Sequence, residues 1–226
     1  MSSITDLRLF MVELPPKVLW GILQSCPFLT RSRLQPVDGD FSWRPVGELS
    51  FPLLKDMGLY GWGDALFSSW SGFLKLPSLE VLRLDRVHRD YSASAIAGFA
   101  ATVTTLMLLP EFALSLGADD LDCLVNLTNL TAVEFEMLNG SQISPDFFSQ
   151  WCRQQAWPHV VTITFKPGAV LSDEAAEALL DLVRTRRHAA SDPNTEICQI
   201  KSVTFEKSEE SGLIPFWLLD QLAALV

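Results

Sequence analysis

The stretch LPSLEVLRLDRV, residues 76–87, places leucines at 79, 82 and 84, with a proline two residues before the first. The same spacing, h-x-x-h-x-h, recurs at Ile4/Leu7/Leu9, Leu54/Met57/Leu59, Val103/Leu106/Leu108, Leu130/Val133/Phe135, Val160/Ile163/Phe165 and Ile200/Val203/Phe205. An imperfect copy, Leu29/Ser32/Leu34, fills the one gap. The first positions are 4, 29, 54, 79, 103, 130, 160 and 200, so the steps run 25, 25, 25, 24, 27, 30 and 40. Pro27, Pro52, Pro77 and Pro158 each stand two residues ahead of the first apolar position. A repeat of this kind decides the architecture before any single residue does.

The physics of one repeat follows from its two periods. The second and third apolar positions are two apart, so they point to one face of a short strand. What remains of each repeat often reads as a helix, over 15–26, 92–103, 144–155 and 172–187. Ser144 before Pro145 is an N-cap with proline at the first helical position. Ser172 before acidic residues is another start, and Arg184, Arg186 and Arg187 suit a helix C-terminus. Pro45 and Gly47 interrupt the second repeat and Gly58, Gly61 and Gly63 open the third, which predicts irregular or short helical turns there. One strand and one helix of this size cannot bury their apolar faces alone. Stacked side by side, eight strand–helix units give an α/β solenoid over residues 1–226, with a parallel sheet on the concave side and a continuous core behind it.

That geometry aims the residues between the apolar positions at one wall. The third-position column reads Asp6, Arg31, Asp56, Val81, Thr105, Ala132, Thr162, Ser202. The fifth reads Arg8, Arg33, Gly58, Arg83, Met107, Glu134, Thr164, Thr204. The seventh reads Phe10, Gln35, Tyr60, Asp85, Leu109, Glu136, Lys166, Glu206. Arginine and aromatic residues dominate binding hot spots, and they gather in the first four repeats as Arg8, Phe10, Arg31, Arg33, Tyr60 and Arg83. Asp85, Glu134 and Glu136 complete the polar candidates for a protein-binding face, and Met107 and Leu109 are expected to be its exposed apolar centre. Asp6–Arg31–Asp56 and Glu136–Lys166–Glu206 are expected to form alternating ladders across strands.

Composition excludes several classes. The 226 residues are 48% apolar with a formal net charge of −10, which argues against nucleic acid or anionic membrane as the main partner. No run reaches a spanning helix, and Asp6, Arg8 and Glu13 interrupt the N-terminal apolar stretch, so no signal peptide is legible. Cys26, Cys123, Cys152 and Cys198 contain no C-x-x-C pair and are expected to be reduced, buried thiols, as in an intracellular protein. The three histidines fall in different repeats, and no nucleophile elbow, phosphate loop, metalloprotease or dinucleotide fingerprint occurs. The expectation is a protein without catalytic residues, metal or cofactor. The polar stretch RTRRHAASDPNTE, residues 184–196, reads as a mobile loop. Trp43 and Trp62 are the tryptophans expected to be exposed.

The pattern resembles the leucine-rich repeat family over nearly the whole chain. LQSCPFLTRSRL (23–34) and FLKLPSLEVLRL (73–84) are similar to the L-x-x-C-P-x-L-x-x-L-x-L phrasing of repeats in F-box proteins, particularly fungal ones. Two departures are the asparagine missing from most strand ends and Ser32 in the second repeat. The resemblance implies a horseshoe whose concave face takes a protein client for a cullin-type ubiquitin ligase. An adaptor would then be bound through a segment ahead of the repeats. LPPKVLWGIL (14–23) looks like the opening of an F-box but lies in phase as the first repeat's helix. The first repeat begins at Ile4 and the chain ends on IPFWLLDQLAALV, so neither end carries a polar cap. The alternative expectation is therefore a scaffold that assembles through its ends, unrelated to ubiquitin.

Overall fold

Every apolar triplet of the repeat ends in a short strand, and in five of them a turn of one construction leads into it. The computed structural model describes residues 3–37, 41–85, 92–109, 115–136, 142–168, 170–206 and 214–226. The chain divides into two compact units, residues 1–103 and 104–226.

The N-terminal unit contains β1 (Asp6–Val12), α1 (Pro16–Gln24), β2 (Arg31–Pro36), β3 (Leu49–Ser50), β4 (Asp56–Leu59), α2 (Gly63–Ser69), β5 (Leu74–Lys75), β6 (Val81–Leu84) and α3 (Ser92–Ile96). Its main strands lie in the order β1, β2, β4, β6, all parallel, with β3 and β5 paired separately. The register is that of the repeat: Leu7, Ser32, Met57 and Leu82 form one row, and Arg8, Arg33, Gly58 and Arg83 the next.

The C-terminal unit contains β7 (Thr105–Leu108), β8 (Ser115–Leu116), α4 (Ala118–Leu124), β9 (Ala132–Phe135), β10 (Gln142–Ile143), α5 (Pro145–Gln154), β11 (Thr162–Phe165), α6 (Asp173–Ala189), β12 (Ser202–Phe205) and α7 (Phe216–Ala223). Its main strands follow the order β7, β9, β11, β12, again parallel and in repeat register. Phe135, Phe165 and Phe205, the last apolar positions of three successive repeats, stack with centroids 5.1 and 4.7 Å apart. Behind them α4 packs on α5, α5 on α6 and α6 on α7. The described fold is α/β, and every strand pairing among the described residues is parallel.

The prolines mark the turn. Leu29, Leu54, Leu79, Leu130 and Val160 donate their N–H to the carbonyls of Cys26, Phe51, Leu76, Leu127 and Trp157, three residues earlier. In four of these turns the second residue is proline, whose fixed φ suits that position. The strand then starts with one carbonyl taking two N–H donors, as Thr5 O does from Thr30 and Arg31, and Lys55 O from Glu80 and Val81.

Helix starts follow the caps legible in sequence. Ser144 accepts from the Asp146 N–H and Ser172 from the Ala175 N–H. Asp119 and Asp120 fall in the first turn of α4, where negative charge is favoured. Four expectations need correction. The helix expected over 92–103 stops at Ile96, two residues before the helix-weakening Gly98. The stretch 184–196 is not a structureless loop: α6 runs through Ala189, and the Thr195 hydroxyl donates to the Ala189 carbonyl to close the turn that follows. Cys152 and Cys198 are only half-buried, unlike Cys26 and Cys123, though all four are free. Trp43 and Trp62 are likewise half-buried, and Trp43 packs edge-on against Trp20.

Candidate protein-binding face

Strand alternation sends Leu34, Leu59, Leu82 and Leu84 into the core of the N-terminal unit and turns their neighbours outward. Asp56 is the centre of what results. Its carboxylate accepts Arg33 Nη1 and Nη2 at 2.7 and 3.1 Å, and Arg83 Nε and Nη2 at 3.0 and 3.3 Å. Arg31 Nε lies 3.4 Å away as an ion pair. Burial alone would raise the Asp56 pKa, but the hydrogen bonds from Arg33 and Arg83 outweigh it and hold the group below the usual carboxylate range.

The network continues to the edge strand. Asp6 accepts Arg8 Nε and Nη2 at 3.3 and 3.1 Å, and Arg31 Nη1 sits 3.6 Å from Oδ2, the oxygen that takes Arg8 Nη2. The hydrogen bond from Arg8 lowers the Asp6 pKa and, reciprocally, raises that of Arg8. The expected Asp6–Arg31–Asp56 ladder therefore exists, widened by Arg8, Arg33 and Arg83. Arg33 and Arg83 are recessed, with side chains 13% and 22% exposed, whereas Arg31 and Arg8 stand out at 48% and 59%.

An aromatic wall closes one side. Tyr60 and Phe10 reach toward each other over the intervening strand and meet edge to face, centroids 5.7 Å apart. Gly58 makes room for this: a Cβ there would come 2.5 Å from Tyr60 Cε2 and 2.7 Å from Arg33 Cδ. Asp85 is not a surface contact. It is buried, and both of its oxygens accept the Gly61 N–H, at 2.9 and 3.0 Å, holding the left-handed turn that follows Tyr60.

In the C-terminal unit Lys166 Nζ lies 2.7 Å from Glu206 and 3.4 Å from Glu134, so the diagonal Glu134 takes the place expected for Glu136. The hydrogen bond to Glu206 raises the Lys166 pKa, against burial. Met107 corrects a second expectation. It is buried, 5% exposed, and Leu109 half-buried, so the pair is not an exposed apolar centre. Met107 stands directly opposite Glu134, whose stem can cover a flexible thioether.

Two residues carry a structural weight that the sequence reading did not assign to them. Gly58 carried a signal, a glycine in an arginine column. Arg186 carried none. It is buried, and its guanidinium donates to the carbonyls of Ala156, Trp157 (2.7 Å) and Pro158 (2.9 Å). Burial pulls its pKa down to about 10, so it remains protonated at neutral pH.

Among the described residues no group of three or more His, Cys, Asp or Glu could hold a metal ion, and no helix is long and apolar enough to cross a membrane. No family model matches the chain and no curated protein matches it.

Proposed function

We propose that the chain is a non-enzymatic protein-binding module, a leucine-rich-repeat horseshoe whose client meets the outward face of β1, β2, β4 and β6. The observation that carries this reading is the array of four arginines set around Asp6 and Asp56 beside the Phe10–Tyr60 pair. Ion pairs fix these long side chains before any partner arrives, which lowers the entropy lost on binding. Arginine and aromatic side chains on a rigid sheet are also what binding hot spots use. The repeat register supports the horseshoe, because within each unit the third- to sixth-position rows of the alignment are rows of paired strand residues.

The C-P-x-L and L-P-x-L phrasing that resembles F-box repeat proteins supports a narrower role, client recognition for a cullin-type ubiquitin ligase. Four free cysteines suit an intracellular protein. Affinity capture from the native cell tests both levels. The expected result is one client, with ligase adaptors, retained by the wild type and by an Arg153→Glu/Arg184→Glu variant. An Arg8→Glu/Arg31→Glu variant of unchanged stability should lose it. Equal capture by the latter variant contradicts a binding site on this face, and a client without adaptors contradicts the ligase role alone.

A further inference from the structure

We infer that the ligand of this face is an extended segment carrying an anionic side chain, a carboxylate or a phosphate, two to four residues from an apolar one. The inference rests on the face being a binding surface and names what it binds.

Arg31 carries most of the argument. Its guanidinium lies between two carboxylates, 3.6 Å from Asp6 and 3.4 Å from Asp56, yet it makes no side-chain hydrogen bond among the described residues. The flanking acids hold it in place as ion pairs while its N–H donors stay open. Arg8, two residues along β1 from the Asp6–Arg31 row, uses two donors on Asp6 and exposes the rest. A guanidinium has five donors in a planar fork that matches a carboxylate or phosphate.

Charge points the same way. Arg8, Arg31, Arg33 and Arg83 are set around two carboxylates, Asp6 and Asp56, while the buried Asp85 is taken up by the Gly61 N–H, which leaves a positive surplus on a chain whose net charge is −10. A cationic segment would meet this arginine surplus, whereas an anionic one completes the network.

The apolar requirement comes from the rows. Phe10 is 49% exposed and backed by Tyr60. It lies two residues beyond Arg8 on β1 and four beyond the Asp6–Arg31 row. Strand residues advance roughly 3.3 Å each, so an extended segment with its anion between Arg31 and Arg8 reaches the ring two to four residues later.

Fluorescein-labelled twelve-residue peptides test the inference by anisotropy with the full chain. One peptide holds a single glutamate three residues from a phenylalanine. The others replace that glutamate with phosphoserine or lysine, or that phenylalanine with alanine. The glutamate or the phosphoserine peptide should bind at least about tenfold tighter than the lysine one, and the stronger of the two identifies the anion's source. Rising salt should weaken that binding. Alanine in place of phenylalanine, and Arg31→Gln or Arg8→Gln in the protein, should each weaken it several-fold, whereas Arg153→Gln should not. Equal binding of the lysine peptide, indifference to both arginine substitutions, or no binding by either anionic peptide would overturn the inference. If affinity capture still finds a client lost on charge reversal of this face, only the ligand class falls and the binding face stands.

Discussion

Tyr60 lies where a side chain on Gly58 would be: a Cβ at residue 58 would sit 2.5 Å from the tyrosine ring. One absent methyl thus lets Tyr60 fold across its own strand to meet Phe10, and lets the Arg33 stem run beneath it toward Asp56. Gly58→Ala should destabilise the chain by about 1–3 kcal/mol in urea titrations, since the interior cannot absorb an added methyl there without moving the ring. Gly21→Ala is the contrast. Among the described residues nothing beyond its own helix backbone lies within 4 Å of a Cβ on that exposed helical glycine, so alanine should stabilise by about 0.5–1 kcal/mol. Equal effects would remove the role assigned to Gly58.

Ser32 occupies the row that Leu7, Met57 and Leu82 fill in the neighbouring strands. It is buried, and its hydroxyl has no hydrogen-bond partner among the described residues. A buried hydroxyl without a partner loses its hydration for nothing, so Ser32→Ala should raise stability by about 1 kcal/mol. A loss of that size in the same titration would mean that the hydroxyl has a partner after all.

Arg186 holds three carbonyls of the loop that enters β11, a loop in which Gln155 and Trp157 both take positive φ. Such conformations persist only where surrounding bonds enforce them. Each carbonyl keeps one other donor, Trp151 Nε1 for Ala156, the Val160 N–H for Trp157 and the Cys198 N–H for Pro158. Arg186→Leu therefore removes the charged hydrogen bonds without orphaning an acceptor and should cost roughly 1–3 kcal/mol. Arg187→Leu, one residue on and exposed, should change little. Near-equal urea midpoints for the two variants would contradict the loop-pinning role.

What the sequence made legible and what it did not divide along a physical line. Register, strand parity, and the caps at Ser144 and Ser172 depend on local spacing, and spacing is what a sequence displays. The burial of Met107 depends on how neighbouring rows lie down against it, which no period encodes. The pairing of Lys166 with Glu134 instead of Glu136 is a diagonal choice between two partners of one type. Arg186 reads as a helix-end cation because its exposed neighbours Arg184 and Arg187 do the same. Its burial follows from where the loop after α5 crosses that helix face. At the candidate face the residue types were readable, but the sharing of one carboxylate by three arginines was not.

Acid should expose that sharing. Asp56 is held below its ordinary pKa in the folded chain, so the unfolded chain takes up the proton first as pH falls. The stability it contributes is complete above about pH 4 and is lost as pH drops through the lower folded value. Asp56→Asn should therefore be less stable than the wild type at neutral pH, with the difference shrinking in acid. A difference that stays constant from neutral pH into acid would contradict the charged hub.

A photo-crosslinking amino acid placed at residue 10, compared with one at Phe216, tests the binding face most directly. Both native side chains are exposed aromatics, 49% and 87%, and Phe216 lies at the start of α7 in the C-terminal unit. Irradiation in the native cell should give one discrete client adduct from residue 10 and none from residue 216, and Arg8→Glu/Arg31→Glu should abolish it. An adduct from residue 216 alone, or one from residue 10 that survives the double reversal, would contradict the arginine–aromatic face as the place where this chain binds.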